Sequence, residues 1–363
     1  MKVAVIGAGN GGQAISAYLS MSGHEVSLYH YRTEKVNILN KKGHIELVGE
    51  IEGVSKLALI SDNLEEVITG AEIIMITTTA NAHTTLAAQM AKCVENGQIV
   101  LLNPGRTGGA LEFYQTLKSH GCTNKVYVAE AQTLVYACRI IEDGLVNIIG
   151  VKDKVLMAAL TKNDTQYVLN KVKSLYPCFE AADSVLRTSL ENIGAIFHPC
   201  VLLFNAATIE RQNDFWFYRD MTPSIAEFIE AFDSERLAVG KAYGIDLLSV
   251  NEWISYAYPE TKGDTLCEKM VNNPAYYAIK SPSTIFTRQL TEDIPTGVLP
   301  IMELGKVAGV DVRLMESMVD ICSSLLNIDF KEKGRSLRNL GLDNMTKEEI
   351  INYLSYSEVY PCH

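Results

Sequence analysis

Two short stretches, far apart in the chain, carry side chains suited to proton transfer and anion binding. His198 lies in Glu191-Asn192-Ile193-Gly194-Ala195-Ile196-Phe197-His198-Pro199, at the start of an otherwise apolar helical pattern. Arg288, Glu292 and Asp293 lie within residues 281–297, a stretch bounded by prolines that reads as mostly non-helical. An imidazole can take and return a proton near neutral pH, and an aspartate on one ring nitrogen orients it and raises its basicity. A guanidinium offers the planar fork that matches a carboxylate. These residues therefore admit a functional reading, an aspartate-oriented histidine with Arg288 gripping a substrate carboxylate. The structural alternatives are a satisfied core histidine and a solvated, charged loop.

The elements that must position such groups begin at the amino terminus. An apolar run, Val3 to Ile6, meets Gly7-Ala8-Gly9-Asn10-Gly11-Gly12, and Ala14, Ile15, Tyr18 and Leu19 then recur at helical spacing. This is a strand, a phosphate-binding turn and a helix. Gly7 supplies the tight turn, Gly9 admits a pyrophosphate close to the backbone, and Gly12 lets the helix pack on the strand. Val26 to Tyr29 is the second strand of a dinucleotide-binding βαβ unit. Where an NAD site usually places an acid at the end of that strand, this chain has Tyr29-His30-Tyr31-Arg32. Arg32 can pair with a 2′-phosphate and stack on adenine, so NADP is favoured over NAD, with Glu34 reaching the ribose as the alternative.

Further along, the buried run 71–76 ends in Thr77-Thr78-Thr79, which should face the cofactor crevice beyond the carboxyl ends of the strands. The strand 99–102 runs into Asn103-Pro104-Gly105-Arg106-Thr107-Gly108-Gly109, a second glycine-rich turn that opens a helix. Its amides could bind a ligand carboxylate or help close over the nicotinamide, or the turn is simply tight. After the strand 126–130, Thr133, Tyr136 and Arg139 emerge as substrate-pocket candidates, each equally able to satisfy loop backbone. Strands at 146–152 and near Phe179-Glu180 are expected to finish the sheet, and the first domain to end near residue 182. Beyond it the pattern turns to long helices at 192–209, 222–243, 247–256, 301–308 and 313–326, with an aromatic stretch, Phe215-Trp216-Phe217-Tyr218, that reads as core packing. The fold class expected is thus α/β, an N-terminal Rossmann-type doubly wound parallel sheet over 1–182 and a C-terminal all-helical domain over 183–363.

Composition narrows the function classes. With 363 residues, 47% hydrophobic and 21% charged, the chain is long enough for two domains with ordinary cores. Its net charge of −11 argues against a nucleic-acid binder, which needs clustered Lys and Arg to neutralise phosphates. The eight cysteines form no C-x-x-C pair and no grouping with histidine, so no metal site and no disulfide framework is expected. They read as thiols of a reducing cytosol, and with no leader-like segment and no membrane-length apolar run the expected compartment is the cytoplasm. A homodimer is the expected assembly. The end of the chain, from Tyr353 to His363, carries no legible signal.

Taken together, Gly7 to Gly12, the Asn-Pro-Gly turn at 103–105, Asn192 through His198-Pro199, and Arg288 through Glu292-Asp293-Ile294-Pro295-Thr296-Gly297 resemble the opine dehydrogenases. The resemblance runs from residue 1 to about Leu342 and rests on the order and separation of the motifs. It implies that His198 and Asp293 are a catalytic pair and that Arg288 binds a carboxylate. Asn192, Thr133, Tyr136 and Arg139 are implied to contact the substrate, the last three varying with the amino acid bound. Gly7, Ala8, Gly9, Asn10, Gly11, Gly12, Arg32, Thr78, Thr79, Asn103 and Gly105 fall at cofactor-binding positions. The implied reaction joins an amino acid and an α-keto acid, such as pyruvate, through an imine that NAD(P)H reduces. The alternatives are a keto-acid reductase that needs no amine, and a non-catalytic NADP sensor.

Overall fold

The computed structural model describes residues 1–356 and divides into two compact units, Met1–Ser189 with residues 352–356, and Leu190–Ile351. In the first unit β1 (Lys2–Ile6), β2 (Glu25–Tyr29), β3 (Ile45–Gly49), β4 (Gly53–Ser55), β5 (Leu59–Ser61) and β6 (Ile73–Ile76) are followed by β7 (Ile99–Leu102), β8 (Tyr127–Ala131), β9 (Tyr136–Glu142), β10 (Leu145–Val151), β11 (Val155–Ala159) and β12 (Phe179–Ala181). Eight of them form one sheet in the order β12-β11-β8-β7-β6-β1-β2-β5, parallel except where β11 runs against β8. Its central strands are unbroken apolar runs because helices cover both faces, and Val3 to Ile6 and Ile73, Ile74 and Ile76 are wholly shielded from solvent.

Leu145–Val151 does not finish that sheet, as its apolar run suggests it should. Residues 136–142 and 145–151 turn back on each other at Asp143-Gly144 as an antiparallel hairpin, and β10 then adds to β3 in a separate four-stranded sheet, β4-β3-β10-β9. The inward row of this hairpin, Tyr136, Cys138, Val146 and Ile148, joins the core of the unit. The unit also runs past residue 182 to Ser189, since the hydroxyls of Thr188 and Ser189 donate to the buried Glu130 carboxylate at 2.7 and 2.8 Å.

The second unit is helical. Gly194–Phe204, Pro223–Ala242, Leu299–Val307 and Arg313–Leu326 are its principal helices. Inside it Arg236 is fully buried and fully engaged, pairing with Asp233 at 2.6 Å and donating to the carbonyls of Leu190 and Leu248. That satisfies a charge whose burial would otherwise be costly. The 281–297 stretch is more helical than its prolines suggest. Arg288–Thr291 is one turn, and Ile294–Val298 is a π-helical turn that flows directly into Leu299–Val307. Pro295 and Pro300 stand at the first positions of their elements, where a missing N–H costs nothing. Among the described residues no helix is long and apolar enough to cross a membrane.

Candidate active site

The glycine turn has the shape its spacing predicts. Gly7 takes φ +109, and a Cβ there would sit 2.9 Å from Thr78 Cγ2. On Gly12 a Cβ would lie 1.6 Å from the Gly7 carbonyl oxygen, so this residue sets how closely helix Asn10–Met21 seats on β1. Around Gly9 nothing lies within 4 Å of such a position, which is the open approach a pyrophosphate needs. Thr77, which the sequence does not single out, latches the turn by donating to the carbonyls of Ile6 and Gly7 at 3.0 and 2.9 Å. The buried hydroxyl of Thr78 and the buried Oδ1 of Asn103 have no hydrogen-bond partner among the described residues. Buried polar atoms ordinarily find partners, so two orphans at the carboxyl ends of β6 and β7 fit a ligand with donors and acceptors of its own. These residues suit a dinucleotide. A separate cavity of about 200 Å³, lined by Glu72, Gln98, Tyr167 and Lys171 among others, opens at the opposite, amino-terminal edge of β6 and β7.

Several nominated residues are committed to the protein itself. The Asn10 amide oxygen accepts from Ile140 N at 2.8 Å, tying the turn to β9, and Gly11 is packed against Leu134. Ala8 is buried, with its carbonyl accepting from Gln13. Thr79 is exposed at the head of a short 3₁₀ turn. The Asn103–Gly109 turn differs from expectation in its amides. Ala110 N donates to Glu130 at 2.8 Å and Gly108 N to Ser189 Oγ at 2.9 Å, so these two groups are spent internally rather than offered to a ligand carboxylate. A Cβ on Gly105 would come 2.5 Å from Glu130, which explains the glycine. Glu130 thus organises the turn from beneath, a role with no local sequence signal.

The three substrate candidates after β8 are not brought together. Tyr136 is a core residue, its hydroxyl 3.3 Å from that of Tyr176, and burial pushes its phenol pKa well up. Arg139 is exposed on the edge strand β9. Thr133 accepts a hydrogen bond from Lys152 Nζ at 2.6 Å. Arg32 is exposed before helix Thr33–Lys42, with Nε donating to Tyr31 Oη at 2.7 Å.

In the helical unit the two stretches that open the sequence reading meet. His198, near the start of helix Gly194–Phe204, places Nδ1 2.6 Å from Asp293 Oδ2. The histidine side chain is 23% exposed and the aspartate 2%. With Nδ1 held by the carboxylate, Nε2 is the nitrogen left for a substrate. Asp293 caps the π-helical turn, an irregularity frequent at functional sites. Gly297 of that turn abuts Asn192 and Ala195, and a Cβ would lie 2.5 Å from Ala195 Cβ and 3.0 Å from Asn192 Nδ2. Gly297→Ala should therefore separate the two segments that bring Asp293 to His198. Overpacking of this kind costs roughly 1–3 kcal/mol, and we expect a lower Tm together with a kcat reduced by about tenfold or more.

The aromatic stretch does more than fill core. Phe217 stands edge-on to the His198 ring at 6.0 Å and Tyr218 lies 6.4 Å from it, itself stacked on Tyr276 at 4.4 Å. Burial, then the Asp293 charge, push the Tyr218 phenol pKa up, while Arg288 opposes them, so Tyr218 senses both charges. Arg288 is exposed, and its guanidinium has no ion-pair partner among the described residues. The sequence held no sign that residues 215–218 would wall the histidine.

Comparison with known proteins is consistent with this arrangement. Residues 181–326 match the family described as NAD/NADP octopine/nopaline dehydrogenase, alpha-helical domain, and residues 2–116 match the NAD-dependent glycerol-3-phosphate dehydrogenase N-terminus. An opine dehydrogenase of Arthrobacter sp. (strain 1C) is 34% identical over 345 residues, covering 94% of this chain and 96% of its own. An octopine dehydrogenase solved with NADH and L-arginine superposes with a TM-score of 0.81 over 97% of this chain and 98% of its own, at 21% identity. A yersinopine dehydrogenase solved with NADP+ gives 0.69 over 98% and 97%, at 11% identity. These two establish the shared fold. The identity and coverage of the Arthrobacter relative establish more: the chain belongs to the NAD/NADP octopine and nopaline dehydrogenase family, the opine dehydrogenases, and is an NAD(P)-dependent oxidoreductase acting on CH–NH groups.

Proposed function

We propose that this enzyme condenses an amino acid with an α-keto acid such as pyruvate and reduces the resulting imine, with His198, Asp293 and Arg288 as its working side chains. The observation that carries the assignment of roles is the 2.6 Å contact between His198 Nδ1 and the buried Asp293 carboxylate. An amino acid arrives as an ammonium ion, which cannot attack a carbonyl. Nε2 of His198 takes that proton, and Asp293 stabilises the imidazolium. The free amine adds to the keto carbon, and the same Nε2–H returns its proton to the departing hydroxyl, releasing water and leaving the imine. Arg288 holds the keto-acid carboxylate and so fixes which face of the carbon is presented. When bound, the reduced nicotinamide supplies the hydride that makes the secondary amine.

Asn192 is placed to support this pair through its contact with Gly297. The cofactor lies on Gly7 to Gly12, with Thr78 and Asn103 as polar partners. NADP is the preferred form in this reading, supported by the exposed Arg32 and by the absence of an acid on residues 29–32. Asp62, which follows β5 beside the end of β2, already accepts from the Thr33 hydroxyl. Arg32→Ala should raise KM for NADPH by about tenfold, the worth of one charged phosphate contact, and leave NADH within about twofold. A wild-type preference for NADH would remove this assignment. The cytoplasm is the compartment proposed, in keeping with the free thiols of the cysteines at 93, 122, 138, 178, 200, 267 and 322; Cys362 lies outside the described residues.

The test of the reaction is the absorbance of the reduced nicotinamide with keto acid alone and then with a panel of amino acids. Oxidation is expected only when an amine is present. Oxidation with keto acid alone would make the enzyme a hydroxy-acid reductase.

A further inference from the structure

Lys152 stands between β10 and β11 with an ammonium that nothing in the first unit balances. Its Nζ donates to Thr133 Oγ1 at 2.6 Å, and among the described residues it forms no ion pair. Burial lowers its pKa to about 8, against a slight raising influence from Cys178. A shielded ammonium without a counter-charge is expensive, and an apolar side chain of similar length would be cheaper for packing alone. Two of its three N–H donors remain for another acceptor.

Its place in the fold says where such an acceptor would come from. β11 runs antiparallel to β8 with Met157 opposite Ala131, so residues 152–154 project past Ala131, the carboxyl end of β8. Lys152 N also donates to Val135 O at 3.0 Å, binding this turn to the 132–135 loop. On the other side of that loop, Leu134 packs on Gly11, where a Cβ would lie 2.8 Å from Leu134 Cδ2. The pair is therefore carried by a loop wedged between the carboxyl edge of the sheet and the glycine turn, the edge on which ligands of such sheets bind.

We propose that Lys152, with Thr133, binds the carboxylate of the amino-acid substrate, a role separate from that of Arg288 on the keto acid. The ammonium donates to a carboxylate oxygen while the Thr133 hydroxyl, already accepting from Nζ, donates to it as well. This rests on the imine-reducing reading above.

The experiment measures steady-state kinetics of wild type, Lys152→Met and Thr133→Val with one keto acid. It uses two amines, an α-amino acid and the amine left by its decarboxylation. Lys152→Met is expected to raise KM for the amino acid by about ten- to a hundredfold, the worth of charge-assisted hydrogen bonds, with KM for the keto acid and NADPH unchanged. For the decarboxylated amine, wild type and variant should agree within about twofold, because the partner carboxylate is gone. Thr133→Val should show a smaller rise of the same kind, and it carries the test should Lys152→Met fail to fold. Equal KM values for the amino acid in wild type and variants, or an equal loss with the decarboxylated amine, would overturn the assignment while leaving imine reduction intact. Wild-type oxidation with keto acid alone would overturn both.

Discussion

Replacing His198 with alanine should lower kcat by roughly 10³-fold or more, within the range of general acid–base catalysis by a positioned side chain, and leave cofactor binding unchanged. The split follows from position. His198 belongs to the helical unit and the cofactor-binding residues to the sheet unit, so a nicotinamide fluorescence titration should give the same Kd for variant and wild type. Asp293→Asn tests the orientation of the ring separately. The amide keeps the shape but offers Nδ1 no negative charge, and an Asn Nδ2–H facing Nδ1 would favour the tautomer that puts the proton on Nε2, where the base must be free. Its turnover should fall nearly as far as that of His198→Ala, and the double variant should be little worse than either, because residues acting as a unit are not additive. Near-normal turnover in His198→Ala would exclude the histidine as the proton carrier.

The second large effect is expected at Gly12. A methyl group there meets the Gly7 carbonyl oxygen at 1.6 Å and the Thr77 hydroxyl at 2.7 Å. Neither can give way cheaply, since one is backbone and the other latches the turn. Gly12→Ala must lift helix Asn10–Met21 from β1 and spoil the cradle of amides aimed at the phosphates. We expect Kd for NADPH to rise by at least about a hundredfold, equivalent to ~2.7 kcal/mol. Gly9→Ala is the contrast. No protein atom lies within 4 Å of the added methyl, so the free enzyme should keep its Tm and lose only cofactor affinity. A Gly12→Ala protein with unchanged Kd would mean that the turn does not hold a pyrophosphate.

What the chain determined locally is the βαβ opening, the alternation of strand and helix through β8, and the change to helices beyond it. These depend on short-range rules: continuous apolar runs for strands covered on both faces, helical spacing, and glycines where a turn and a close approach need them. The histidine and the aspartate were legible as residue types for the same reason, although nothing local could join them. Only the tertiary structure sets them 2.6 Å apart, because the meeting of helix Gly194–Phe204 with the π-helical turn is decided by packing at Gly297 and Ala195, over a separation of some hundred residues. Long-range pairing likewise decided what local reading could not. The hairpin 136–151 left the main sheet for β3, which buried Tyr136, and Glu130 took up amides of the 103–109 turn that the sequence offered to a ligand. Phe217 and Tyr218 came to wall the histidine, and Lys152 came to stand beside Thr133. In each case the side chain's chemistry was written in the sequence, while its partner was chosen by which surfaces the fold had to bury.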